Sequence, residues 1–135
     1  MGLQRCEDLL VELVHADGGV ARAGSPALCG SATINPDKKT GSGATGLFEP
    51  AHGSSPHRTG TRRSNSTGAW LALAALLDWC PDVGPLGLGA HVRSALTDVH
   101  AAGTRTYDLA GPGVTAVGMD EFNRQVLAAL EVHRA

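Results

Sequence analysis

The chain has 135 residues, of which 42% are apolar and 18% charged, with a formal net charge of −2. That length allows one domain with a moderate core, and that composition excludes a chain that is mostly disordered. A net charge so close to zero also excludes a general electrostatic pull on nucleic acid or acidic membranes, although Arg58, Arg62 and Arg63 form a local basic patch.

The three cysteines, Cys6, Cys29 and Cys80, are odd in number and widely spaced. Neither a disulfide framework nor a zinc site with paired ligands fits that spacing, so they read as free thiols in a reducing compartment. The first residues lack the basic and then apolar pattern of a secretory signal. Ala69 to Leu77 is continuously apolar but too short to cross a bilayer. The expectation is a soluble, cytoplasmic chain with no membrane and no nucleic-acid partner.

In chain order, Leu9, Leu10, Leu13 and Val14 recur at helical spacing and predict a helix from about Gln4 to Ala16. Asp8 and Glu12 stand one turn apart on one face of it. A solvated acidic face and a divalent-cation site both satisfy that spacing. From Gly18 to Thr45 the chain is rich in Gly, Ser, Pro and Thr and reads mostly as loop, with extended residues near Val20 and from Ala32 to Ile34. Lys38 and Lys39 are expected to face solvent.

Gly46 to Asn65 carries the densest chemistry. A short strand at Leu47 and Phe48 ends at Pro50, and a turn-rich loop follows with His52, His57, Arg58, Arg62 and Arg63 among glycines and hydroxyls. Gly53 and Gly60 allow backbone N–H groups close to a ligand, and guanidinium groups can hydrogen-bond phosphate oxygens. A loop of this composition is also what a plain solvated connection looks like.

Ser66, Thr67 and Gly68 form a capping cluster before an almost wholly apolar helix that runs to about Trp79 and stops at Pro81. Such a helix is expected to be buried on all sides, with Trp70 and Trp79 in the core. A second helix, from about Leu86 to Ala102, places Leu88, Val92, Leu96 and Val99 on one stripe and ends at Gly103, leaving His91 and His100 as surface residues. After Arg105 to Leu109 and a Gly-Pro turn, a short strand is expected at Val114 to Val117. A last helix follows from about Asp120 to Val132, burying Phe122, Val126, Ala129 and Leu130.

The run Leu-Phe-Glu-Pro-Ala-His-Gly-Ser-Ser-Pro from Leu47 to Pro56, followed by Gly60 and Asn65, resembles the adenosine-binding loop of the β-decarboxylating dehydrogenases that act on isopropylmalate, isocitrate and tartrate. Gly30 to Asn35 is similar to the segment that precedes that loop. Arg105 to Leu109 and the pattern of the last helix resemble the tail of the same family. The resemblance implies an α/β fold, a partial version of the isopropylmalate-dehydrogenase type with about four helices, a few short strands and an incomplete sheet, spanning residues 1–135 as one nucleotide-binding segment.

The resemblance also implies site residues. His52, Gly53, Ser54 and Asn65 would line the adenosine pocket, with Asn65 reading the adenine edge. Family members that use NAD carry an aspartate where His57 stands, and a carboxylate there would repel a 2′-phosphate. Members that use NADP carry a lysine and a tyrosine in place of His57 and Arg58. Arg58 can grip a phosphate bidentately. Tyr107 lies in a Thr-Tyr-Asp run like one whose tyrosine touches that phosphate, while Gly111 replaces an arginine of those enzymes. The implied cofactor is NADP, with NAD as the alternative. Asp8 and Glu12 loosely match the family's metal-binding aspartate pair, which implies Mg2+ or Mn2+.

The arginine clamp for a 2-hydroxy diacid and the lysine and tyrosine of proton transfer have no counterpart in this sequence. The expectation is therefore a part of a metal-dependent oxidoreductase that is not catalytic alone, completed in a homodimer or by a complementing chain. The alternative is a non-catalytic adenine-nucleotide or protein-interaction module.

Overall fold

In the computed structural model, residues 30–36 and 44–133 are described, with side chains from residue 46 to 133. The helix expected at Gln4 to Ala16, with Asp8 and Glu12, lies outside the described residues, as does the extended stretch near Val20.

Strand β1, Gly30–Pro36, pairs antiparallel with β2, Ala44–Pro50, in a register that sets Thr33 opposite Leu47 and Gly30 opposite Pro50. Pro50 closes the ladder because its nitrogen has no hydrogen to donate. The hairpin lies against helix α1, Thr67–Trp79, with the Phe48 and Trp79 rings 5.5 Å apart and tilted by 49°.

Helix α2 spans Leu88–Ala101 and helix α3 spans Met119–His133. The three helices share a core of Ala74, Val92, Leu96, Val99, Phe122 and Val126, against which Trp70 and Leu77 pack. Gly89 is where α1 and α2 touch most closely, since a Cβ there would stand 2.5 Å from the Ala74 carbonyl oxygen. The C-terminus of α2 ends as its sequence implies. Gly103 takes φ +86°, its N–H reaches the His100 carbonyl at 3.0 Å, and Thr104 N–H reaches the Val99 carbonyl at 3.2 Å, the paired bonds of a Schellman motif.

The α/β class holds, with one two-stranded sheet among the described residues. Four expectations change. Helix α1 is not covered all round: Leu73 and Leu76 remain 39% and 38% exposed, because α2 and the hairpin cover only part of its circumference. The tryptophans are half-buried rather than fully in the core, Trp70 turning its indole N–H to Asn123 at 2.9 Å. His100 is buried instead of at the surface, since it stands four residues after Leu96 and so shares the apolar stripe, its ring 5.4 Å from that of Phe122. Val114 to Val117 forms no strand, only a single parallel bridge between Val117 and Thr106.

Candidate anion-binding site

The loop from Ala51 to Gly60 is exposed at every residue, so its order rests on turns rather than on burial. Pro56–Arg58 forms one turn of 3-10 helix, in which Arg58 N–H donates to the Ser55 carbonyl at 2.8 Å. Thr61 closes the next turn through both its N–H and its hydroxyl on the Arg58 carbonyl, at 3.0 and 2.7 Å. Gly60, at φ +76°, supplies the left-handed step between them.

Arg62 takes the same left-handed region at φ 56° without being a glycine. Such a residue costs roughly 1–3 kcal/mol and persists only where its surroundings enforce it. Here the enforcing contacts come from α3. Met119 N–H donates to the Arg62 carbonyl at 2.8 Å, and the Arg62 guanidinium pairs with Asp120 at 2.7 Å. The pair is 76% and 50% exposed, so water screens it to roughly 0.2–1 kcal/mol.

These turns shape a cleft of about 330 Å³ between the loop and the first turn of α3. Ser55, Arg58, Gly60, Arg62 and Ser64 face it from the loop side, and Met119 and Asp120 from the helix. With Thr59 also in the lining, two guanidinium groups, three hydroxyls and a left-handed turn fit a phosphate-bearing group. The volume is at the lower end of small-ligand sites, which run from about 300 to 1,000 Å³.

Of the predicted cofactor residues only Arg58 lines the cleft; His52, Gly53, Ser54, His57, Asn65 and Tyr107 do not. His52 is exposed, and its Nδ1 lies 3.1 Å from the Gly53 carbonyl, an acceptor only, so Nδ1 carries the proton of the neutral ring. Gly53, Ser54 and His57 are exposed on the loop. Arg63 lies outside the cleft lining, with its guanidinium carbon 4.5 Å from the centroid of the Tyr107 ring. That contact brings the Arg-Thr-Tyr-Asp-Leu segment beside the loop, as the resemblance implies.

Asn65 sits beneath, 6% exposed. Its Oδ1 accepts the Thr67 N–H at 2.9 Å and its Nδ2 donates to Asp108 at 3.0 Å. The side chain is thus the cap of α1 and the tie to Asp108, whose other oxygen accepts from the Thr106 hydroxyl at 2.7 Å. Any contact of Asn65 with an adenine edge falls to its second amide hydrogen or its backbone. Ser66, in the expected capping cluster, makes no side-chain cap and instead donates to Asn123 at 2.6 Å.

Sequence reasoning missed Asp120 and Met119, which approach the loop from more than fifty positions away, and Asn123, which ties α3 to Ser66 and Trp70 at the start of α1. Their only sequence signal is an acidic first turn on the last helix. Among the described residues, no three His, Cys, Asp or Glu side chains converge as a metal site, and no helix is long and apolar enough to cross a membrane.

The structure is thus an α/β segment that presents an exposed, glycine-turned loop carrying guanidinium groups. The chain belongs to the isocitrate/isopropylmalate dehydrogenase family, whose model matches residues 15–126. It is 34% identical over 108 residues to a 3-isopropylmalate dehydrogenase of Synechococcus sp. (strain JA-2-3B'a(2-13)), covering 80% of this chain and 29% of that protein. With the chloroplastic 3-isopropylmalate dehydrogenase 1 of Arabidopsis thaliana the identity is 33%, over 77% of this chain and 25% of the relative. With that of Salinibacter ruber it is 39%, over 74% and 26%. The chain therefore spans less than a third of the length of these curated relatives.

Proposed function

We propose that this chain is the nucleotide-binding part of an NADP- or NAD-dependent oxidoreductase that acts on the CH–OH group of a 2-hydroxy diacid. The observation that carries this reading is the cleft between the loop and α3, faced by Arg58 and Arg62, in a chain of the dehydrogenase family. Arg58 holds the 2′-phosphate of NADP, His57 stands where a carboxylate would have favoured the free ribose, and His52, Gly53 and Ser54 border the adenosine. Tyr107, steadied by Arg63, closes the phosphate side. The bound nicotinamide would supply the hydride acceptor, and everything assigned to this chain is binding and orientation.

Asp8 and Glu12 would supply two carboxylates for Mg2+ or Mn2+, an assignment that rests on their loose likeness to the family's aspartate pair, since the family model matches only residues 15–126. Substrate clamping and proton transfer, for which this sequence holds no matching residues, would be supplied by a complementing chain or by sequence outside these 135 residues. Catalysis by this chain alone is not expected. The reaction belongs to the cytoplasm, with which the free thiol of Cys80 is compatible.

The test is a titration of the full chain with NADP, NAD and ATP, repeated with His57 and Arg58 both replaced by alanine. NADP is expected to bind tightest, and the double replacement to weaken it by about tenfold or more, the cost of a charge-assisted hydrogen bond. NAD binding more tightly than NADP would overturn the phosphate assignment. A second reading is a non-catalytic adenine-nucleotide or protein-interaction module derived from the same family. ATP binding on a par with NADP would select it.

A further inference from the structure

Arg62 is the one non-glycine residue at positive φ among the described residues, and it lies in the cleft beside Arg58. Backbone strain of this kind is kept where the surrounding structure holds a side chain at a defined place. Two contacts do so here: Met119 N–H on the Arg62 carbonyl at 2.8 Å, and Asp120 on its guanidinium at 2.7 Å. The first is backbone to backbone and fixes the position. The second is an exposed side-chain ion pair, weak and easily exchanged.

We propose that Arg62 is a second contact for a phosphate monoester in this cleft, masked in the free protein by an exchangeable pair with Asp120, resting on the nucleotide-binding reading above. Asp120 occupies the guanidinium of Arg62 in the free protein. A phosphate dianion, already drawn by Arg58, displaces the carboxylate and takes over its donors, because it carries more charge and more acceptor oxygens. A ribose with free hydroxyls cannot do this, since hydroxyls compete poorly with a carboxylate for a guanidinium. Arg62 thus acts as a second specificity-determining residue and Asp120 as the internal competitor that every phosphate must displace.

The test uses the full chain and two kinds of probe. Inorganic phosphate is titrated by NMR into the wild type, D120N, R62Q and the double variant, and NADP and NAD are titrated in parallel. D120N is expected to tighten phosphate and NADP by about two- to fivefold, matching an exposed ion pair, and to leave NAD unchanged. R62Q is expected to weaken both phosphate ligands by about tenfold, and in the double variant the gain from D120N should vanish. Equal phosphate affinity in wild type and D120N, a gain that persists without Arg62, or no saturation by phosphate in either protein overturns the exchange. If both dinucleotides fail to bind while phosphate still responds to D120N, the dinucleotide reading falls and the exchangeable pair stands.

Discussion

The loop from Ala51 to Gly60 and the helical body beneath it are built on opposite principles. Every loop residue is exposed, whereas Leu96, Phe122 and Val126 are fully buried. The body is held by apolar contact, spread over many atoms and tolerant of no missing volume. The loop is held at a few points: turn hydrogen bonds, a left-handed glycine, the Met119 N–H on Arg62, and Asn65 at its end. A scaffold of the first kind can carry a site of the second without either depending on the same residues. The two regions should therefore separate under mutation, one set of changes altering stability and the other altering ligand affinity.

The sharpest break of that separation lies within α3. Phe122→Ala removes a ring at 0% exposure and is expected to cost about 3–5 kcal/mol in denaturant unfolding. Leu127→Ala, on the same helix but 53% exposed, should stay within about 0.5 kcal/mol. If the two cost the same, the three-helix core is not the source of stability.

A smaller effect is expected where the regions join. Asp108→Ala strips partners from the buried Asn65 amide and the Thr106 hydroxyl, and should cost about 1–3 kcal/mol. It is the one change here expected to lower both stability and NADP affinity, because Asn65 ends the loop and Tyr107 adjoins Asp108. Loss of stability with unchanged affinity would show that the joint does not position the site. Next in size, Gly60→Ala forces a Cβ into φ +76° and should cost about 1 kcal/mol while disturbing the Arg58 turn more than the body. Amide-shift changes confined to residues near Gly60 would bear this out.

The same division governs what could be read from the sequence. The helices were legible because apolar spacing and a glycine stop are local signals: α2 and α3 fall within two residues of their expected ends. His100 was misplaced because residue type was weighed above its spacing from Leu96. The loop's chemistry was legible from the run between Leu47 and Asn65. Its support was not, since Asp120 and Met119 reach it through a fold that no local pattern encodes. Asn65 is instructive: its position was singled out, yet the side chain serves as a cap and a buried tie, a role set by Asp108 far along the chain.

The smallest effect belongs to the outer face of α3, where neither principle operates strongly. Glu121 accepts from Gln125 Nε2 at 2.8 Å and pairs with Arg124. The Gln125 hydrogen bond holds its carboxyl below the ordinary glutamate value against the opposing push of desolvation, with smaller lowering contributions from the charge and hydrogen bond of Arg124. A carboxylate whose folded-state pKa is depressed stabilises the fold above its unfolded pKa and loses that contribution as pH falls through the folded value. Stability should therefore decline slightly in the acidic range, and Glu121→Gln should flatten that decline without changing the neutral-pH response of the cleft. An NMR titration of the Glu121 carboxyl reads the shift directly. A value at or above that of a free glutamate would mean that the exposed face contributes nothing, leaving the buried core and the loop's few ties to account for the fold.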